Sequence, residues 1–250
     1  MRDLSPVSAV VFDCDSTLTA IEGIDELAVE HRPAIAALTD AAMRGDVALE
    51  EVYGRRLGLI RPGRRRLEEL AREYVARLVP DAVEVAAALR DEHVEVRIVS
   101  GGLLPAVLAV GDALGLAREH VAAVAIDFAE DGSYAGYDET SPLARSGGKC
   151  DVLRAWRRRL GPRVMMIGDG ATDLEAAEAA DVFVAYTGIA ERAAVVERAD
   201  VVIRSQSLAP VLPLATGGAP PRAAKHRPLF ERGLALLDAR DRGRLTHLNP

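Results

Sequence analysis

Asp13 and Asp15 stand one residue apart at the end of a short apolar run, Ala9-Val10-Val11-Phe12. Side chains of a strand alternate between faces, so residues two apart share one, and the two carboxylates converge as the chain begins to turn. Paired carboxylates at the end of a buried strand are costly unless a cation lies between them. A divalent metal is the simplest physical answer, and the rest of the chain can be read by asking what serves that pair.

Three further stretches carry polar chemistry: Ser100-Gly101-Gly102, Ser146-Gly147-Gly148-Lys149 and Gly168-Asp169-Gly170-Ala171-Thr172-Asp173. If Asp13, Asp15 and Asp169 meet at one rim, they suit magnesium, which takes one or two carboxylates, several waters and phosphate oxygens. No histidine or cysteine cluster has the spacing of a zinc site. Asp173, four residues after Asp169, is placed to be a ligand or to orient one. Ser100 and the amides of Gly101 and Gly102 lie where a strand is expected to meet a helix start, which favours an anion. Lys149 can set a point charge on a phosphoryl oxygen.

Together these groups would offset the negative charge that builds on phosphorus during phosphoryl transfer. The chain contains no Walker A sequence, which disfavours nucleotide hydrolysis of that type. The nucleophile is then water or a side chain, and an aspartate carboxylate can serve. The second carboxylate suits a general acid that protonates the departing alcohol and then acts as base on water.

Several elements must position these residues. Strands are predicted over 94–99, 121–128, 133–137, 163–167, 181–186 and 200–204, with helices over 81–90, 105–114, 150–160 and 174–180. Asp131-Gly132 marks a hairpin turn. Residues 20–77 read as helical throughout, with Leu67, Leu70, Tyr74 and Leu78 forming one apolar stripe. Alternating strands and helices predict a parallel sheet covered on both faces, with ligands beyond the carboxyl ends of its strands.

The segment 216–221 reads as a linker. The basic residues after it read as a loosely docked tail, with a partner-binding or homodimer-forming helix carrying Leu229, Phe230, Leu234 and Leu237 as the alternative. The expected boundaries are a core over 1–19 and 78–215, an inserted cap over 20–77 and a C-terminal extension over 216–250.

Bulk properties narrow the class. The 250 residues are 49% hydrophobic and 28% charged, enough for a proper core. A net charge of −7 disfavours general nucleic-acid binding, and no apolar run is long enough to span a membrane. The start of the sequence lacks a secretion-signal pattern. Cys14 and Cys150 are expected to be free, buried thiols in a reducing cytoplasm.

Asp13-Cys14-Asp15-Ser16-Thr17, Ser100, Lys149 and the acidic loop 168–173 resemble, in order, the four motifs of the haloacid dehalogenase superfamily. The likeness extends to Glu22-Gly23-Ile24-Asp25-Glu26-Leu27-Ala28 and Tyr134-Ala135-Gly136-Tyr137-Asp138-Glu139-Thr140, which look like the phosphoserine phosphatase family. The resemblance covers about residues 10–212. It implies an α/β fold, a Rossmann-like core with a small helical cap inserted after the first strand, and magnesium-dependent hydrolysis of phosphoserine in serine biosynthesis.

By that resemblance Asp13 is the nucleophile and Asp15 the general acid and base. Magnesium is held by Asp13, the Asp15 backbone carbonyl and Asp169. Ser100, Gly101 and Lys149 hold the phosphoryl group, and Thr172 lies near the substrate. Glu22 meets the substrate amino group, Arg56 its carboxylate, and Met43 with Arg44 closes over it. The chain departs from the pattern at Arg44, where glycine is usual, at Leu49, often aromatic, and at Leu103, commonly phenylalanine. The alternative substrate is another small phosphomonoester, hydrolysed or transferred.

Overall fold

The computed structural model describes residues 4–43 and 49–245. Its central strand is β1 (Ala9–Phe12), four apolar residues that are all buried. Val10 and Phe12 enter the apolar cluster on one face, Ala9 and Val11 that on the other, as suits a strand in the middle of a parallel sheet. Four helices follow: α1 (Gly23–Leu27), α2 (Arg32–Met43), α3 (Leu49–Ile60) and α4 (Arg64–Ala76). Three of the four stripe residues, Leu67, Leu70 and Tyr74, are buried on α4, while Leu78 falls beyond its end, half-buried and bridged to Thr19.

The chain returns through α5 (Ala82–Asp91) to β2 (Glu95–Leu103), α6 (Leu104–Ala113) and β3 (Val121–Val124). A hairpin, β4 (Ile126–Phe128) and β5 (Tyr134–Tyr137), precedes α7 (Gly148–Trp156) and β6 (Val164–Gly168). Next come α8 (Ala171–Ala176), β7 (Val182–Tyr186), α9 (Ala193–Val196), β8 (Val201–Ile203) and α10 (Val211–Ala215). The main sheet is six-stranded and parallel, in the order β3-β2-β1-β6-β7-β8. Strand order reverses at β1, so β1 and its neighbours β2 and β6 open their carboxyl ends onto one crevice.

Three local expectations need correction. Residues 121–128 form two strands: β3 joins the main sheet, and β4 pairs antiparallel with β5 across the expected turn, where Gly132 has φ +83°. β2 runs on through Ser100, Gly101 and Gly102 to Leu103, its register against β3 slipping after Val99. These residues therefore lie in an irregular strand end, and the helix follows at Leu104, one residue before its expected start. Lys149 sits inside the first turn of α7, because Gly147 in the left-handed region (φ +73°) begins the helix earlier than expected.

The C-terminal segment differs most. α11 (Arg227–Leu236) and α12 (Ala239–Arg242) are folded against the core, not loosely docked. Leu229, Phe230 and Leu237 are buried in the same cluster as Phe12, with Leu234 half-buried beside them. Leu245 is fully buried and bridges Leu4. The stretch read as a linker begins as the C-terminal turn of α10. Gly217 and Gly218 take φ +61° and +85°, and the Gly218 amide donates to the Pro213 carbonyl at 2.8 Å. That geometry turns the chain against Leu4 and Pro6, just before β1, instead of releasing it.

Candidate active site

The turn after β1 is set by the backbone. The Asp13 amide donates to the Ile167 carbonyl of β6 at 2.8 Å, and the Cys14 carbonyl accepts from Leu18 at 2.8 Å and Thr19 at 3.0 Å. Ser16 completes the reversal with φ +53°. Cys14 points into the core, fully buried, while Asp13 and Asp15 both face one cleft of about 450 Å³. Cys14 and Cys150 are both free and buried.

Lys149 bridges two carboxylates, with Nζ 2.7 Å from Asp13 Oδ1 and 2.7 Å from Asp173 Oδ1. All three are buried. Burial pulls the lysine down, but Asp13 and Asp173 outweigh it and hold the ammonium above the ordinary lysine range. Burial, then the Asp173 charge, push Asp13 well above the usual carboxylate range against the pull of Lys149. Asp173 also accepts from the Gly170 amide at 2.9 Å, and Asp169 accepts from the Thr17 hydroxyl at 3.2 Å.

Asp13, Asp169 and Asp173 each offer a carboxylate oxygen, and these oxygens lie within 4.8 Å of one another. Three buried carboxylates so close, with Lys149 on two and Arg192 on the third, still leave an excess negative charge that fits a divalent cation: hard oxygen donors whose repulsion the ion would relieve. Asp173 is thus near enough to be a ligand as well as the partner of Lys149. Asp15 is not part of that carboxylate cluster, and its Oδ1 accepts a hydrogen bond from the Tyr74 hydroxyl. Burial, with the Glu22 charge, raises Asp15 to about 7 despite the opposing Tyr74 hydrogen bond. Burial and then the Asp15 charge hold the Tyr74 phenol well above its ordinary range.

Ser100 is buried at the rim, its Oγ accepting from the Gly102 amide at 3.0 Å. A Cβ at Gly102 would lie 3.1 Å from both Ser100 Oγ and Asp15 Oδ2, so glycine lets the strand end approach the acid closely. The Gly101 carbonyl accepts from Tyr53 Oη of α3 at 2.9 Å. Glu22 accepts from Ser16 Oγ at 2.7 Å, and Arg56 of α3 pairs with Asp25. Glu22, Arg56, Gly101 and Thr172 all line the cleft with the groups above. Met43 ends α2, and Arg44 lies outside the described residues.

The haloacid dehalogenase-like hydrolase family matches residues 7–181. The chloroplastic phosphoserine phosphatase of Arabidopsis thaliana is 41% identical over 202 residues, covering 79% of this chain and 68% of that one. The phosphoserine phosphatase of Bos taurus is 38% identical, covering 77% and 87%. The chain belongs to the phosphoserine phosphatase family of haloacid dehalogenase-like hydrolases. In shape, a phosphoserine phosphohydrolase-like protein from Francisella tularensis superposes with a TM-score of 0.69 at 27% identity, over 79% of this chain and 95% of the other.

At this hydrolase's site the sequence reading missed three side chains, two of them lining the cleft and one buried behind Asp15. Arg192, between β7 and α9, lies against the Asp169 carboxylate, with Nη2 3.7 Å from Glu22 Oε1. Its signal was available, since it follows another strand of the same sheet. Tyr53 gave none beyond its place in a helical stretch. Tyr74 was read as a core position, and its ring is fully buried as expected, yet its hydroxyl emerges at Asp15.

Proposed function

We propose that this enzyme hydrolyses O-phospho-L-serine to L-serine and phosphate, as its relatives' names state for them, within serine biosynthesis. One juxtaposition carries the reading. Glu22 and Arg56, opposite in charge, line the same cleft as Asp13, Ser100 and Lys149, which matches a small zwitterion bearing a phosphate. In this reading residues 20–77 are a cap and 1–19 with 78–215 the catalytic core. Glu22 takes the substrate ammonium, Arg56 the carboxylate, Thr172 borders the substrate, and Met43 with Arg44 closes over it.

Asp13 attacks phosphorus and carries the phosphoryl group as an aspartyl phosphate. Ser100, the Gly101 amide and Lys149 bind the phosphoryl oxygens, and Asp173 keeps Lys149 aimed at them. Asp15 gives a proton to the departing serine oxygen, then takes one from the water that releases phosphate. Magnesium is the cation we assign, with Asp13, the Asp15 carbonyl and Asp169 to hold it. When bound it neutralises charge on the nucleophile and the phosphoryl group.

The other reading, a different small phosphomonoester, has the departure at Arg44 for support and gains nothing from the C-terminal segment, which packs into the core. No helix of the described residues is long and apolar enough to cross a membrane. Two free buried thiols support a cytoplasmic location. Homodimer formation is a separate proposal read from mass in solution, since every group of the site comes from one chain. The deciding experiment is phosphate release from L-phosphoserine, with magnesium and with EDTA, beside a panel of phosphorylated sugars and an aryl phosphate. Preference for phosphoserine, lost in EDTA and in Asp13→Asn, is expected; a rate no better than the aryl phosphate's would sink the substrate assignment.

A further inference from the structure

Asp15 is held from outside its own loop. Its Oδ1 accepts from the hydroxyl of Tyr74, a residue of α4, and it also interacts with the Gly23 amide at the start of α1. Its Oδ2 lies toward Gly102 and Ser100, on the phosphate side of the cleft. The two oxygens thus have different surroundings: one is occupied by a phenol donor, the other faces the reacting group.

Tyr74 is well fixed for such a task. Its ring is fully buried with Leu67 and Leu70, and Thr19 Oγ1 donates to its carbonyl at 3.1 Å, tying α4 to the loop that follows Asp15. Space for the hydroxyl depends on Gly23, where a Cβ would fall 2.0 Å from Tyr74 Oη. A tyrosine needed only for packing would not require its polar tip to be admitted past a glycine onto a carboxylate.

The geometry points to Tyr74 as a positioning residue that holds the Asp15 carboxylate by Oδ1 so that Oδ2 serves the leaving oxygen. The inference rests on the phosphatase reading above. When an Asp13 oxygen bonds to phosphorus, the bond from phosphorus to the alcohol oxygen breaks and its electron pair stays on that oxygen. The proton on Asp15 Oδ2 passes to it, leaving Asp15 ionised. Water then bonds to phosphorus, its proton returns to Oδ2, and Asp13 departs as the carboxylate. Tyr74 keeps its own proton throughout and donates to Oδ1 in both states.

Leaving-group dependence separates this role from plain packing. An alkoxide such as that of serine needs the proton as it leaves, whereas p-nitrophenolate departs as the anion. The kcat/KM ratio is the parameter to compare, because it stops at the first bond cleavage and excludes the water step. Tyr74→Phe is expected to lower kcat/KM for phosphoserine by about tenfold or more, and that for p-nitrophenyl phosphate by less than about twofold.

Equal losses on both substrates, or no loss on phosphoserine, would overturn the assignment. Should Tyr74→Phe not fold, Gly23→Ala, whose Cβ would lie 2.0 Å from the Tyr74 hydroxyl oxygen and 2.9 Å from the ring carbon that bears it, displaces the phenol from Asp15 and must show the same selective loss. If the wild-type enzyme proves inactive on phosphoserine, that failure belongs to the substrate reading. The comparison then runs on whichever alkyl phosphate it does cleave.

Discussion

Lys149 is the residue on which the electrostatics of the site turn. Its ammonium separates Asp13 from Asp173, both buried, at 2.7 Å from each. Lys149→Met keeps the length and removes the charge, leaving two carboxylates face to face. Breaking a buried pair of this kind costs about 3 to 5 kcal/mol, which urea unfolding at neutral pH in EDTA would register. A divalent ion would supply part of the missing charge, so the gap to wild type is expected to narrow when magnesium replaces EDTA. The aspartates and Lys149 were legible in the sequence because each stands at a strand end or helix start, where position alone implies exposure to a crevice. Tyr74 was not. Helical periodicity tells which way a Cβ points, and it pointed inward as read; it says nothing of what the far end of a long amphipathic side chain touches.

Among the elements, α5 carries the anchorage of the C-terminal segment. Asp91 at its end meets Lys225 Nζ and His226 Nε2, each at 2.8 Å, while Asp81 at its start meets Arg232 at 2.5 Å. The hydrogen bonds from Lys225, then His226, lower Asp91 from 3.8 to about 2. Its contribution to stability is therefore complete above the unfolded value of 3.8. It falls as pH drops, because the unfolded chain takes up the proton first, and is gone once the folded carboxyl is protonated near 2. Asp91→Asn should be less stable than wild type at pH 6, and the difference should shrink at pH 3, measured as urea midpoints. A gap unchanged between the two pH values would mean that Asp91 is not the group involved. The sequence could not announce this docking. Gly217 and Gly218 read alike whether they free a chain or turn it sharply, and the basic residues gave no sign that their partners, Asp81, Asp91 and Glu92, lay on the chain's own surface.

At the scale of the whole molecule, the alternation of strands and helices made the parallel sheet readable, but not where its core ends. Phe230 and Leu229 belong to the apolar cluster that Val10 and Phe12 enter, with α11 packed on α10, so the core includes a helix more than two hundred residues from β1. Phe230→Ala should destabilise by about 3 to 5 kcal/mol, the range for an aromatic side chain removed from a packed interior. A loss below about 0.5 kcal/mol, as for a surface residue, would return the segment to the status of a tail.

That packing also bears on how the protein is made. Synthesis delivers β1 first and α11, which packs on α10, almost last, with Leu245 still to come against Leu4. Until then the nascent chain shows the ribosome's surroundings an apolar surface of α10 that its own later residues are meant to hide. A message cut short after the last catalytic motif would therefore yield a polypeptide with every reacting group and an exposed apolar seam, more open to chaperones and proteases than the full chain.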